Sequence, residues 1–472
     1  MAAEPSPTLR LAGVEGALER EPHSADLHCL RASILAELGR DEDATSAYIE
    51  ALRRAPAHFD ALNGLGGHLY RTDFRTAART VYRQLLALHP ESAIALVNLA
   101  NALLENGEAE EAETLYRKAV DLAPDDPDAR QGLANALQGR GETEAAEVQR
   151  RASYARRRIA RRPYRGEGRP RRVLELVSGV GGNVPTRFLL DETAFEVATL
   201  MVEADGVEPI PPHDIVFNAV GDPDLAPQAV DAAARIAERL GSPVLNAPAR
   251  VRPTGRASVG QRLSGIPHLR TPRVARVAKR EAAGDADACG YPLLVRSPGF
   301  HTGRYFERAD GPGELAAALE RLPGDEALVI GFLDGRDAQG LYRKYRAIFV
   351  GGEVFPLHLA VSKGWKTHYF SSEMAASPAL RAEEARYLDD PRSVIGPAAM
   401  EALHAVAARL RLDFGGIDFG LSAAGEVLLY EANATMLVSP PPPDRMWHHR
   451  RPAAGRVLAA FRAIAQARAA GG

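Results

Sequence analysis

Two carboxylates and one amide near the C-terminus have the types and spacing of a magnesium site. Asp418 is followed by Glu431 and Asn433 within the stretch DFGGIDFGLSAAGEVLLYEANATM, residues 413–436. Carboxylate and amide oxygens are hard ligands, and Mg²⁺ binds in proteins through a few carboxylates together with water and substrate phosphates. The pattern therefore indicates a site for Mg²⁺ and a phosphate-bearing ligand. The alternative is an exposed hairpin that carries ordinary surface acids.

A β-hairpin would bring these three side chains together. The apolar runs 416–421 and 426–430 flank an Ala424-Gly425 turn, which is typical of two antiparallel strands. Side chains alternate between the two faces of a strand, so Glu431 and Asn433 share one face. If the strands pair in register, Asp418 lies on that same face and the three groups converge.

The pattern Asp-x12-Glu-x-Asn at the end of a strand pair, after a Gly-rich approach, resembles the metal-binding end of ATP-grasp enzymes. Examples are D-alanine–D-alanine ligase, glutathione synthetase and the ribosomal-protein glutamate ligases. The resemblance covers roughly residues 173–444 and is most specific at this end. It implies an ATP-grasp fold of α+β and α/β type, preceded by an α/β domain on the substrate side, with ATP and Mg²⁺ (or Mn²⁺) as cofactors.

The same resemblance implies roles for residues upstream. Arg296 ends the strand YPLLVR where the family has a phosphate-binding lysine, and Arg346 lies in the hairpin RAIFVGGEVFPLHL where an arginine reaches the transferred phosphoryl group. Arg346 is therefore the candidate catalytic residue. The stretch LVIGFLDG, residues 328–335, is similar to the hinge that binds adenine through its backbone, and Asp337 to the ribose-binding acid, with Asp334 as a rival. The expected nucleotide-binding residues are Arg296, Ile330, Phe332, Leu333 and Asp337.

A cationic cluster follows the Arg346 hairpin. Its members are His358, Lys363, Lys366 and His368. These side chains could bind a carboxylate substrate or phosphates, but a solvated loop explains the lysines equally well.

Length and composition limit the class of protein. The chain has 472 residues, 46% hydrophobic and 25% charged, which is typical of a globular protein with several domains. Its net charge of −3 gives no general attraction to nucleic acid or membrane. The two cysteines predict no disulfide framework, and the N-terminus lacks the pattern of a signal peptide. We therefore expect a cytoplasmic protein.

The first third of the chain is repetitive. Prolines recur 34 residues apart at Pro22, Pro56, Pro90 and Pro124, and tyrosines do so at Tyr48, Tyr82 and Tyr116. Small residues recur with the same period, at Ala32, Gly66, Ala100 and Ala134 and again at Ala44, Ala78, Ala112 and Ala146. This pattern resembles the tetratricopeptide repeat, a helix–turn–helix unit that stacks into an α solenoid. We expect units at 25–58, 59–92, 93–126 and 127–150, with a groove for a peptide or protein partner or a surface for homo-oligomerisation.

A strongly basic stretch, residues 150–172, separates the halves. A charged linker is the favoured interpretation over a contact with an acidic partner or nucleic acid, because no nucleic-acid-binding module accompanies it. The predicted domains are 1–160 (repeats), 161–172 (basic linker), 173–255 (α/β domain) and 256–472 (ATP-grasp domain).

The function implied by the resemblance is ATP-dependent ligation of a carboxylate to an amine, or to a thiol, through an acyl-phosphate. The expected substrate is a peptide or protein recruited by the repeats. Two alternatives stay open: a small-molecule ligase, and a scaffold whose nucleotide-binding half has lost catalysis. Arginine at position 296 and the non-acidic hinge favour the scaffold, whereas Asp418, Glu431 and Asn433 argue against it.

Overall fold

A computed structural model describes residues 6–105, 108–162, 164–204, 209–299, 303, 305–367, 372–441 and 446–470. The chain divides into two compact units. The first includes the described residues up to Arg158, together with Ala204, and the second begins at Ile159. The predicted domains 173–255 and 256–472 both belong to the second unit.

The first unit is a row of helices in antiparallel pairs. Its described helices are α1 (Pro7–Arg20), α2 (Ala25–Glu37), α3 (Asp41–Arg54), α4 (Phe59–Arg71), α5 (Arg75–Leu88), α6 (Ala93–Glu105), α7 (Ala109–Leu122), α8 (Pro127–Gly139) and α9 (Thr143–Arg156). The pairs α2–α3, α4–α5 and α6–α7 fall within the predicted units, and the pair α8–α9 runs past the predicted end of the fourth unit at 150, to Arg156. The predicted α solenoid is therefore confirmed for this part of the chain.

The repeated residues perform the packing that their period suggests. Tyr82 from α5 is buried, and its ring faces Gly66 in α4: a Cβ built on Gly66 would lie 2.4 Å from the ring. Glycine at this position therefore lets the two helices approach closely. The periodic prolines follow the second helix of a pair, as Pro56 does after α3, where the missing amide hydrogen costs no helical bond.

The basic stretch is folded and largely paired with acids. Arg150 takes the place of the repeated tyrosine in α9, where it is buried and donates to Gln138 and Glu147. Arg161 and Arg162 belong to strand β1 (Ile159–Arg162), and Arg172 pairs with Asp214. The predicted linker 161–172 therefore begins in β1 and ends in β2 (Arg171–Val177), both in the second unit. Arginines are well tolerated on an edge strand such as β1.

The first sheet of the second unit is mainly parallel. Its described strands are β1, β2 (Arg171–Val177), β3 (Phe195–Met201), β4 (Ile215–Asn218) and β5 (Val244–Leu245), in the order β1-β3-β2-β4-β5. Only β1 runs antiparallel among them. Helix α10 (Pro227–Leu240) packs on β2, so alternating strands and helices form the parallel sheet that the sequence predicts.

The second sheet is antiparallel and has its own core. Its described strands are β7 (Val274–Ala278), β8 (Leu293–Arg296), β9 (Phe306–Ala309) and β10 (Glu326–Gly331), in the order β7-β10-β8-β9. Helices α13 (Ala282–Cys289) and α14 (Pro312–Arg321) cover one face with apolar residues such as Ala286 and Leu315.

The third sheet carries the predicted hairpins. Its described strands are β6 (Leu269–Arg270), β11 (Tyr342–Val350), β12 (Glu353–Ser362), β13 (Phe414–Leu421) and β14 (Val427–Asn433), in the order β12-β11-β13-β14-β6. Both hairpins are confirmed, with Gly425 at a φ of 78° in one turn and Gly351 and Gly352 in the other. A left-handed backbone of this kind favours glycine.

The further described helices of the second unit are α11 (Pro248–Val251), α12 (Arg256–Leu263), α15 (Pro378–Asp389), α16 (Pro391–Ile395), α17 (Pro397–Leu410) and α18 (Arg451–Ala470). Of these, α12, α15, α17 and α18 pack against the third sheet. Phe461 of α18 packs against Phe217 of the first sheet and Phe414 of the third, so these two sheets share one apolar core. In the described part of the chain, every helix is too short or too polar to cross a membrane.

Candidate functional site

A row of polar residues crosses the third sheet. His358 on β12 lies opposite Arg346 on β11, Arg346 opposite Asp418 on β13, and Asp418 opposite Glu431 on β14. Directly opposite residues of antiparallel strands point to the same face, so these four side chains are neighbours. The register shifts after Arg346 and after Asp418, and such bulges re-aim side chains beside functional sites.

Asp418 is held by an arginine fork. Arg346 Nε and Nη2 donate to the two carboxylate oxygens of Asp418 at 2.6 and 2.8 Å, and Lys344 Nζ lies 3.5 Å from Oδ2. Asp418 is only 4% exposed. Its burial opposes ionisation, but the charges of Arg346 and Lys344 prevail and hold its pKa well below the usual range. Asp418 is therefore ionised at neutral pH.

Glu431 is paired in the same way from another element. Its Oε1 accepts from Arg256 Nη2 at 2.6 Å and from Asn433 Nδ2 at 2.7 Å. Burial raises the pKa of Glu431, but the charges of Arg256, Arg296 and Arg346 together outweigh it, and the net shift is downward. Asn433 Oδ1 accepts from the backbone N–H of Thr435 at 2.9 Å. The three predicted metal ligands thus converge as the hairpin pattern predicts, although their role as ligands stays a prediction.

The donor set fits Mg²⁺ in one specific way. The described residues contain no group of three or more His, Cys, Asp or Glu side chains arranged around a cation, so an all-protein cage is absent from this part of the chain. Asp418, Glu431 and Asn433 supply two carboxylates and an amide. Mg²⁺ usually binds through one or two carboxylates plus water and substrate phosphates, so these residues fit a cation that arrives with a phosphate ligand.

Arg296 approaches from the second sheet. It ends β8, is 6% exposed, and its guanidinium carbon lies 5.2 Å from the centre of the Phe306 ring. Burial, and then the nearby positive charge of Arg256, lower the pKa of Arg296 to about 10. Arg296 therefore keeps its charge at neutral pH, in a place where an anion would relieve the repulsion between the two arginines.

A cleft lies between the second and third sheets beside Arg256. Its cavity volume is about 40 Å³, and its lining brings Ile330, predicted to contact adenine, into one site with the predicted metal ligands Glu431 and Asn433. Its lining is Thr254, Arg256, Val259, Gly260, Pro272, Val274, Ile330, Leu429, Tyr430, Glu431, Ala432 and Asn433. Apolar walls with a few convergent polar groups are typical of small-molecule sites.

The remaining residues of the predicted hinge lie after β10. Phe332 packs edge-on against Trp365, with Arg308 4.7 Å from its ring centre, and Leu333 is half-buried. Asp337 accepts from the backbone N–H of Leu341 at 2.8 Å and pairs with Arg343. The carboxylate of Asp337 thus stabilises its own loop.

Asp334, the rival for the ribose role, forks with Arg336. Both acids are therefore already engaged by an arginine, Asp334 by Arg336 of the same loop and Asp337 by Arg343 of β11, and a ribose contact by either stays a prediction.

The structure separates the predicted cationic cluster. His358 lies in the polar row, where burial, and then the charge of Arg346, lower its pKa well below the usual value, so its ring is neutral at pH 7. Lys363 is exposed, and Lys366 Nζ donates to the carbonyl of Phe306 at 3.0 Å. His368 lies outside the described residues.

Sequence reasoning missed Arg256 and Lys344. Arg256 begins α12, and its backbone N–H donates to Asp224 Oδ2 at 2.6 Å, so the loop after β4 fixes its position. Its contact with Glu431 joins residues 175 positions apart, which no local pattern reveals. Lys344 could have been found from alternation, because it lies two residues before Arg346 on the same strand and so shares its face.

Comparison with known proteins identifies the repeats. The tetratricopeptide repeat family model matches residues 31–73 and 68–127, so the N-terminal region contains tetratricopeptide (TPR) repeats. No curated protein matches the chain.

Several solved structures are similar to about a third of the chain. The 41-end form of MamA from Desulfovibrio magneticus RS-1 is 22% identical, with 32% of this chain and 85% of that chain covered and a TM-score of 0.29. PilF of Pseudomonas aeruginosa is 23% identical, with 30% and 66% covered and a TM-score of 0.29. YrrB, described as a TPR protein with an unusual peptide-binding site, is 21% identical, with 30% and 74% covered and a TM-score of 0.28.

Proposed function

We propose that the second unit is an ATP-grasp-type ligase that uses ATP and Mg²⁺ to join a carboxylate to an amine, or to a thiol. The observation that carries this proposal is the cleft between the second and third sheets. It combines an apolar wall at Ile330 with Glu431, Asn433 and Arg256. An apolar surface suits an adenine base, and the charged end suits a polyphosphate with its cation.

In this proposal the arginines bind and orient the phosphates. Arg296 and Arg256 hold the phosphate chain, since a guanidinium group forms bidentate hydrogen bonds with phosphate oxygens. Arg346 and Lys344 lie beside Asp418, where they stabilise negative charge on the transferred phosphoryl group. When bound by Asp418, Glu431 and Asn433, Mg²⁺ would neutralise the charge that develops on the phosphates.

The reaction follows from this placement. A carboxylate oxygen of the substrate attacks the γ-phosphorus of ATP, the bond to the bridging oxygen breaks, and ADP leaves. The amine then attacks the carbonyl carbon of the acyl-phosphate, phosphate leaves, and the amine gives its proton to solvent. The chain supplies orientation and charge, and no side chain serves as a covalent nucleophile.

The repeats support a macromolecular substrate. TPR repeats are modules for protein interaction, and the family model places them at residues 31–127. We infer that they recruit the peptide or protein that the ligase modifies. The alternative is a ligase for small molecules, in which the repeats serve only assembly. The assay described next distinguishes the two by the acceptor that is used.

The test is phosphate release from ATP with panels of peptides, amino acids and other carboxylates as acceptors. Glu431→Gln keeps the shape of the side chain but removes its negative charge, so turnover should fall by about two orders of magnitude, roughly 3 kcal/mol in the barrier. Glu426→Gln is the matched control, because Glu426 lies on the same hairpin with its side chain 37% exposed. Turnover undiminished in Glu431→Gln would contradict the metal role of this residue.

A scaffold without catalysis is the second candidate. The observation that favours it is that Asp418 and Glu431 both already have arginine partners in the structure. A chain that binds ATP but releases no phosphate with any acceptor, in wild type and Glu431→Gln alike, would establish this candidate instead.

A further inference from the structure

The two guanidinium groups in the site occupy the oxygens that a divalent cation needs. Arg346 uses both oxygens of Asp418, and Arg256 uses Oε1 of Glu431. Lys344 adds a third positive charge 3.5 Å from Asp418 Oδ2. A bare cation that approached these carboxylates would meet hydrogen bonds to displace and positive charges that repel it.

The coordination geometry of Mg²⁺ makes it unfavourable for one carboxylate to bind the cation and an arginine at the same time. Mg²⁺ requires near-octahedral oxygen ligands at about 2.0–2.1 Å. A carboxylate has about four acceptor positions, so a position on Asp418 remains formally open beside the Arg346 fork. A cation there would lie within a few ångströms of a guanidinium charge, in a site where burial reduces the screening by water.

A polyphosphate changes this balance. Arginine forms the same bidentate fork with phosphate as with a carboxylate. Arg256 lines the cleft, and Arg296 lies near enough for the two positive charges to repel each other. A polyphosphate in the cleft therefore offers the guanidinium groups an alternative partner and releases carboxylate oxygens for the cation.

We propose that Arg256 and Arg346 are internal counter-ions that keep a divalent cation off Glu431 and Asp418 until a polyphosphate draws the guanidinium groups away. The site then takes cation and polyphosphate together and does not take the cation alone. The inference rests on the proposed function for the identity of the polyphosphate, which is ATP. The contacts that support the inference, Arg346–Asp418 and Arg256–Glu431, are present in the chain without any ligand.

The first test measures Mn²⁺ binding to the full-length chain without nucleotide, from the electron paramagnetic resonance signal of free Mn²⁺. Wild type should bind weakly, and Arg256→Gln should bind at least tenfold more tightly, because Glu431 loses its counter-ion. Arg256→Lys keeps the positive charge and should stay close to wild type. The double variant Arg256→Gln, Glu431→Gln should lose the gain.

Arg172→Gln is the matched control, because Arg172 forms the same kind of fork with Asp214 in the first sheet, outside the cleft. It should leave Mn²⁺ affinity unchanged. Circular dichroism checks that each variant folds. If Arg256→Gln does not fold, Mn²⁺ binding is compared between Arg346→Gln and the double variant Arg346→Gln, Asp418→Asn.

The second test follows thermal unfolding of wild type with Mg²⁺, inorganic triphosphate, or both. The shift in Tm with both should exceed the sum of the separate shifts. Tight binding of Mn²⁺ alone to wild type, or a gain in Arg256→Gln that persists without Glu431, would overturn the inference.

The outcomes separate this inference from the proposed function. The expected Mn²⁺ results without any ATP turnover would leave the counter-ion role standing and refute the ligase. Turnover in a wild type that binds Mn²⁺ alone as tightly as Arg256→Gln does would refute the counter-ion role and leave the ligase standing.

Discussion

The buried fork between Arg346 and Asp418 gives a quantitative prediction about stability. Arg346→Gln removes the fork from Asp418, which is 4% exposed, and leaves Lys344 at 3.5 Å as its nearest remaining positive charge. Removing one partner of a buried ion pair costs about 3–5 kcal/mol, because the other charge stays buried without compensation. Lys344 compensates in part, so we expect a loss near 3 kcal/mol, at the lower end of this range.

Two further variants test whether this loss of stability comes from the interaction between Arg346 and Asp418. Asp418→Asn should destabilise by a similar amount, since Arg346 then loses both charge-assisted bonds. The double variant should cost less than the sum of the two single variants, with a coupling of about 0.5–3 kcal/mol. Arg321→Gln is the control, because Arg321 forks with Glu307 on an exposed surface and should matter far less.

Tryptophan fluorescence during urea unfolding is the appropriate assay. The chain has two tryptophans, Trp365 and Trp447, and both lie in the second unit, so the signal reports on the unit that contains the pair. A loss below about 1 kcal/mol in Arg346→Gln, or costs that simply add in the double variant, would refute the reasoning about buried charge.

Three further predictions concern other parts of the molecule. Gly66→Ala forces a Cβ to 2.4 Å from the Tyr82 ring, whereas Gly67→Ala meets only a contact at 3.7 Å, so urea unfolding should show Gly66→Ala to be less stable by about 1–3 kcal/mol. Arg296→Ala should weaken the free energy of ATP binding, measured by calorimetry, by about 1.5–3 kcal/mol, and Arg296→Lys should lose less of it. Burial raises the pKa of the Cys29 thiol to about 11, so iodoacetamide at pH 8 should label it about two orders of magnitude more slowly in the native than in the unfolded chain.

Local patterns predicted the parts of the fold that local patterns control. The 34-residue period placed the helix pairs, because the two helices of each repeat pack through the same small residues, as Gly66 of α4 does against Tyr82 of α5. The hairpin that carries Asp418 and Glu431 was predictable because alternation and a glycine turn fix which side chains share a face. These features depend on residues that are near one another in sequence.

The features that the sequence did not predict either join residues far apart in the chain or have a composition that fits more than one structure. The basic run 161–172 suggested a linker, but its first residues, Arg161 and Arg162, belong to edge strand β1, since charge neither requires nor forbids a strand. Arg256 reached the site only through the tertiary fold, across 175 residues. The ion pairs of Asp418 and Glu431 were also unforeseen, because the sequence shows which acids converge but not which cations meet them.

Those ion pairs bear on the choice between enzyme and scaffold. A buried pair such as Arg346–Asp418 contributes little net stability, because replacing such a pair with apolar residues of similar volume often leaves the folding free energy unchanged or improves it by about 1–4 kcal/mol. A unit that bound no ligand here would therefore gain little stability from placing Arg256 and Glu431 in a cleft. Charges whose folding benefit is small, and which converge on an apolar cleft, are better explained by a ligand that exchanges partners with them. The enzyme and the ATP-binding scaffold both require such a ligand. Binding of Mn²⁺ with a polyphosphate tests the exchange of partners, and phosphate release distinguishes the enzyme from the scaffold.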